Sequence, residues 1–178
     1  LWDDKNAILN NDSLNPYYEL VDFEELTKDN RVEWADDKLM AVIINNATPT
    51  CWKNISRFCN INVLYSYIPS YKEKLDWPIL TGRSEDQFLI DNFIDYPWDL
   101  EVLSTDLSRN IDTIEQLILL HKETQDEWNW EELEKILPDE FVLANLSVVK
   151  VNLARYTKKT SDVQNAILSN SDKRWDWD

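Results

Sequence analysis

Cys51, Cys59 and His121 are the residues that a thiol–imidazole reaction would need, being the only two cysteines and the only histidine of the chain. A nucleophile must be activated by a base within hydrogen-bond reach, and on paper either cysteine could pair with His121. The local pattern argues otherwise. His121 lies late in a helical run, "ILLHKE", where a cation complements the negative end of the helix dipole, so it reads as a surface residue. One histidine and two cysteines with seven residues between them do not make the short-spaced ligand set of a zinc site. Gly82 is the only glycine, which excludes a glycine-rich phosphate loop and the glycine turn of a calcium loop. The 34 acids leave room for paired-carboxylate chemistry of the glycosidase kind, and an enzyme with an unrecognised carboxylate site is a third functional reading. Asp3–Asp4 and Asp36–Asp37 read instead as acids of helix first turns. The chain is therefore expected not to be an enzyme, and no catalytic residue, metal ligand or cofactor is assigned.

Tryptophan is the other residue type that could carry recognition, because its face stacks on bases and similar ligands. The chain has nine, and they recur inside a phrase. "LVDFEELT", "TCWKNIS", "KLDWPILT", "YPWDLEVLS" and "DEWNWEEL" share an apolar residue, Asp or Asn, a large apolar anchor, two variable residues, Leu or Ile, and usually Ser or Thr. The chain's last six residues, "KRWDWD", open the same phrase. Its physics is that of a helix start. Asp22, Asp76, Asp99, Asn129 and Asp176 are good N-caps. The residue before the cap and the Leu four residues into the helix suit a hydrophobic staple, and Glu25 and Glu132 stand where a capping box closes. Cys51 breaks the cap in the second phrase, so that helix is expected to begin at Thr50. Trp52, Trp77 and Trp130, just after the caps, are expected to face the core. Trp98, Trp128 and Trp175, just before them, are expected to be partly exposed, and are the candidate contacts for a partner.

Each first phrase is followed by a second one with apolar residues at helical spacing behind a polar or proline start signal. These are "DKLMAVIINN" from Asp37, "NVLYSYI" from Asn62, "SEDQFLIDNFI" from Ser84, "DTIEQLILL" from Asp112 and "PDEFVLANL" from Pro138. "KNAILNN" near the start echoes "QNAILSN" near the end. Anchors fall at Phe23, Trp52, Trp77, Leu100, Trp130 and Trp177, with Lys150 filling a degenerate copy. The mean spacing of about 26 residues is the signature of stacked supersecondary units. The expected fold is all-α, a solenoid-like stack of short helix pairs forming a single repeat domain over residues 1–178. Since "KRWDWD" opens another copy, the chain is expected to be a fragment of a longer array, able to self-associate through its exposed repeat ends.

These phrases resemble the tryptophan-rich "WDWxxLS" tandem helical repeats of uncharacterised bacterial and large-virus proteins. The likeness covers most of the chain, copy by copy loosely, and Glu134 and Ala154 depart from its usual Ser. It implies a packing motif and no activity.

Net charge is −16, which disfavours direct binding to nucleic acid and suits a partner with a basic surface, or other domains of the same protein. Lys150, Arg155, Lys158 and Lys159 form the one stretch free of acids, read as a solvated face. Sequons at Asn11, Asn46, Asn54 and Asn145 are expected by chance in so asparagine-rich a chain. No apolar run is long enough to span a bilayer, and the unpaired cysteines fit a reducing, intracellular (cytoplasmic) setting. The leading expectation is a non-enzymatic recognition or scaffold module of a larger protein. The alternative is an acidic mimic of nucleic acid that inhibits a DNA-binding protein. Regularly spaced surface carboxylates would favour the alternative, and acids gathered at helix starts would count against it.

Overall fold

The computed structural model describes residues 21–29, 32, 34–120, 127–151, 165 and 169. Among them every regular element is helical and no strand occurs. The chain divides into two compact units, Leu1–Arg83 and Ser84–Asp178. The first unit contains α1 (Phe23–Leu26), α2 (Asp37–Asn45), α3 (Pro49–Phe58), α4 (Ile61–Tyr65), α5 (Ile68–Tyr71), a 3₁₀ turn (Lys72–Lys74) and α6 (Trp77–Arg83). The second contains α7 (Asp86–Asp91), α8 (Leu100–Thr105), α9 (Ile111–Leu120), α10 (Trp130–Leu133) and α11 (Asp139–Ala144).

The helices begin where local chemistry places them. Asp22 accepts from the amides of Glu24 and Glu25, Asp99 from Val102, Asn129 from Glu132, and Asp76 from Ile79. All four expected starts are thus capped by the expected side chain. Of the adjacent acids expected in a first turn, Asp37 is there, whereas Asp36 is the N-cap of α2. Glu25 and Glu132 pair forward with Lys28 and Lys135, at 2.7 and 2.6 Å. The second phrase differs from expectation. Its helix starts at Pro49, not Thr50, because Thr48 caps it by accepting from the amide of Cys51 at 3.2 Å. Proline at the first helical position loses no hydrogen bond and arrives with a helical φ.

"NVLYSYI" is expected as one helix and forms two, broken at Ser66 and Tyr67. Pro69 explains the break: within a continuous helix its ring would strike the carbonyl four residues back, that of Tyr65. The other second phrases each give one helix, α2, α7, α9 and α11. Three of these end on an asparagine that satisfies a terminal carbonyl. Asn46, Asn92 and Asn145 donate side-chain N–H to the carbonyls of Val42, Phe88 and Phe141 at 2.8, 2.9 and 2.8 Å.

Helices this short are marginal alone and depend on packing. First helices pack on first helices: α3 touches α1 and α6, and in the second unit α10 touches α8. There α9 also touches α7. The apolar residue three past each anchor forms the centre of this packing. Leu26 is 5% exposed, and Ile55, Leu80, Leu103 and Leu133 are 0% exposed. Leu64 and Ile68 fill the first unit beside them, and Leu89, Ile114, Leu117 and Ile118 fill the second.

Candidate functional site

The Ser or Thr four residues past the anchor is where consecutive phrases meet. Ser56 is fully buried; its hydroxyl donates to its own helix at the Trp52 carbonyl (2.9 Å) and accepts the backbone N–H of Asp76 (2.9 Å). Ser104 repeats this arrangement, donating to the Leu100 carbonyl (2.6 Å) and accepting from the Asn129 backbone (3.1 Å). A hydroxyl has one donor and spare acceptor capacity, so a single side chain serves both its own helix and the next helix start. Thr27 also donates back, to Phe23 at 2.9 Å. Its onward partner differs, because the amide of Cys51 is already held by Thr48. The Asn54 side chain takes over, donating to Thr27 Oγ1 at 3.1 Å and to the Glu24 carbonyl at 3.2 Å.

Two arginines reinforce the same junctions. Arg83, at the end of α6, donates to the carbonyls of Ser56 and Cys59 at the end of α3. Arg109 reaches the Ser84 carbonyl at 3.1 Å and the Asp86 carboxylate at 2.6 Å, with its side chain 4% exposed. Asp86 also accepts from Thr113 Oγ1 at 2.8 Å, which ties α9 to α7. Neither arginine stands out in the sequence, because each acts on groups more than twenty residues back.

The tryptophans reverse the expected exposure. Trp98 is 7% and Trp128 4% exposed, so the two described candidates for partner contact are core residues. The physical reason is aromatic packing: each ring is covered by other aromatic side chains rather than by solvent. Trp98 donates its indole N–H to the Asn92 carbonyl at 3.1 Å and packs edge-on against Phe88 and Tyr96. Trp128 stacks on Phe93 with ring centres 6.2 Å apart, and its buried indole N–H has no partner among the described residues. Of the tryptophans expected inside, Trp52 is buried, while Trp77 and Trp130 are only half-buried. Trp77 donates its N–H to the Lys72 carbonyl at 2.9 Å. Trp175 lies outside the described residues, as do His121, Asp3–Asp4, Arg155, Lys158, Lys159 and "KRWDWD". Lys150 is exposed.

Both cysteines are free and fully buried. Burial pushes the Cys59 thiol up to about 12, only partly offset by the nearby Arg83 guanidinium, so at neutral pH it is a protonated core residue rather than a nucleophile. Among the described residues no three His, Cys, Asp or Glu side chains gather as a metal site. A shallow depression of about 420 Å³ in the first unit is lined by Ala47, Pro49, Trp52, Glu73 and Lys74. There Tyr71 stacks on Trp52 at 5.1 Å, and the Lys74 ammonium lies 5.5 Å from the same ring. Three of the four sequons have local explanations, and the fourth, at Asn11, lies outside the described residues. Asn46 and Asn145 cap helix ends, and Asn54 is buried against Thr27.

Acids concentrate at helix starts. Asp22, Glu24 and Glu25 open α1, Asp36 and Asp37 α2, Glu85 and Asp86 α7, Asp99 and Glu101 α8, Glu131 and Glu132 α10, and Asp139 and Glu140 α11. No helix among the described residues is long and apolar enough to cross a membrane.

No protein-family model matches the chain, and neither does any curated protein or solved structure. The likeness to the WDWxxLS repeats therefore stands on the phrases alone.

Proposed function

We propose that the chain is a repeat domain over residues 1–178, a solenoid-like stack of helix pairs with a period of about 26 residues. It serves as a non-enzymatic recognition or scaffold module of a larger intracellular protein. The observation that carries this reading is the bond from one phrase's buried hydroxyl to the next phrase's cap amide, present at Ser56–Asp76 and again at Ser104–Asn129. A bond of that kind recurs after the anchors Trp52 and Leu100 and joins helix starts to preceding helices rather than building a cleft. Stacked units offer extended surfaces, and the carboxylates at the helix starts, with a net charge of −16, suit a partner with a basic surface or another domain of the same protein.

The gathering of acids at helix starts counts against the nucleic-acid mimic, which calls for charges spaced like phosphates rather than like caps. Titration with a lysine- and arginine-rich peptide, beside an acidic peptide of equal length, tests the reading. Saturable binding of the basic peptide that weakens with added salt is expected, with no binding of the acidic one. Indifference to both would remove the basic-partner reading.

A further inference from the structure

We infer that, at two junctions, the residue just after the anchor and the N-cap of the following first helix form a matched pair, and that this pair fixes which helix start can dock on that helix edge. The inference rests on the repeat reading above and adds the specificity of its junctions. Glu24 follows the anchor Phe23, and its Oε1 accepts from the Thr48 hydroxyl at 2.8 Å; Thr48 caps α3, which packs on α1. Glu101 follows the anchor Leu100, and its Oε1 accepts from Asn129 Nδ2 at 2.9 Å; Asn129 caps α10, which packs on α8. The two contacts occupy the same two places in separate compact units. In both, a carboxylate meets a neutral cap that has a proton to give.

Among the described residues, the third junction is not joined by such a bond. α6 packs on α3 and is capped by Asp76, which has no proton to donate when ionised. The residue after that anchor is Lys53, not an acid. A helix edge carrying Glu thus accepts a start capped by Thr or Asn and repels one capped by Asp.

Substitution within the 178-residue chain tests this cleanly, because Asp and Asn are equally good caps. Asn129→Asp leaves the cap intact and sets a carboxylate against Glu101. It should raise the unfolding constant about two- to fivefold at low ionic strength, with the effect shrinking as salt is added. In a Glu101→Lys background the same Asn129→Asp change should be stabilising. That reversal of sign is the signature of the pair. An Asn129→Asp effect of the same size and sign in both backgrounds would overturn the inference. Ser104→Ala, measured alongside, separates the two levels: if it destabilises while the sign does not reverse, the docking of repeats stands and the matched pair does not.

Discussion

Ser104 Oγ accepts the backbone N–H of Asn129 at 3.1 Å, and the same hydroxyl donates to the Leu100 carbonyl at 2.6 Å. Removing it leaves a part-buried amide without its acceptor. Ser104→Ala is expected to destabilise by about 1–3 kcal/mol, and Ser56→Ala by a similar amount, since Asp76 N–H depends on it at 2.9 Å. Thr105→Ala is the contrast. Its exposed hydroxyl bonds only carbonyls of its own helix, Glu101 and Val102, so a change within about 0.5 kcal/mol is expected. Urea unfolding of the three variants checks the ranking.

Caps give a second set of expectations. Asp99→Ala and Asp76→Ala each remove an acceptor for a first-turn amide and should cost about 0.5–2 kcal/mol. An exposed position in the middle of α9, Gln116, should tolerate alanine with little change. Glu115 is a poorer control than its sequence position suggests, because it is half-buried and burial, aided by Asp112, raises its carboxyl above the ordinary range. Equal losses at caps and at Gln116 would contradict the assignment.

Trp98→Ala should be among the most damaging single changes, at about 3–5 kcal/mol, because it empties a buried site lined by Phe88 and Tyr96. Trp77→Ala, at a half-buried position, should cost clearly less. Denaturant midpoints for the two variants decide whether the tryptophan before the cap or the one after it is the structural residue.

The cysteines supply a pH dependence. Burial pushes the Cys59 thiol up to about 12, from an ordinary value of 9.0. Between those values the folded chain binds a proton that the unfolded chain has lost, so stability falls as pH rises from about 9 to about 12. Below the unfolded value the contribution is fully present. Thiol labelling at pH 8 should accordingly be slow in the folded chain and fast in urea, and Cys59→Ser should flatten the alkaline loss. Fast labelling of both thiols without denaturant would contradict their burial.

What the sequence revealed was local. A cap acts over two or three residues, so Asp22, Asp99 and Asn129 could be read directly, and so could the periodic second helices. The alternation of exposure among the tryptophans could not, because spacing alone does not tell whether a side chain beside a cap turns over its helix or away from it. Thr48 was hidden behind the expectation that a cap stands beside the anchor, although Pro49 was a usable signal for a helix start. The terminal asparagines at 46, 92 and 145 share a place in the second phrase, yet the sequons at Asn46 and Asn145 drew attention to a different property. Arg83, Arg109 and Asn54 act across 23 to 30 residues, about one anchor spacing, yet none of them stands at a shared place of the phrases.

Hydrogen exchange at the backbone amides of Asp76 and Asn129 tests the joining of successive helix pairs most directly. Both amides stand at caps, outside any helical hydrogen bond, where exchange is ordinarily fast. Each is expected to be protected like a core helical amide. Ser56→Ala should release Asp76 and leave Asn129 protected, and Ser104→Ala should do the reverse. Rapid exchange at both amides in the unmodified chain would mean that the hydroxyls do not join consecutive helix pairs, and the proposed repeat architecture would lose its central bond.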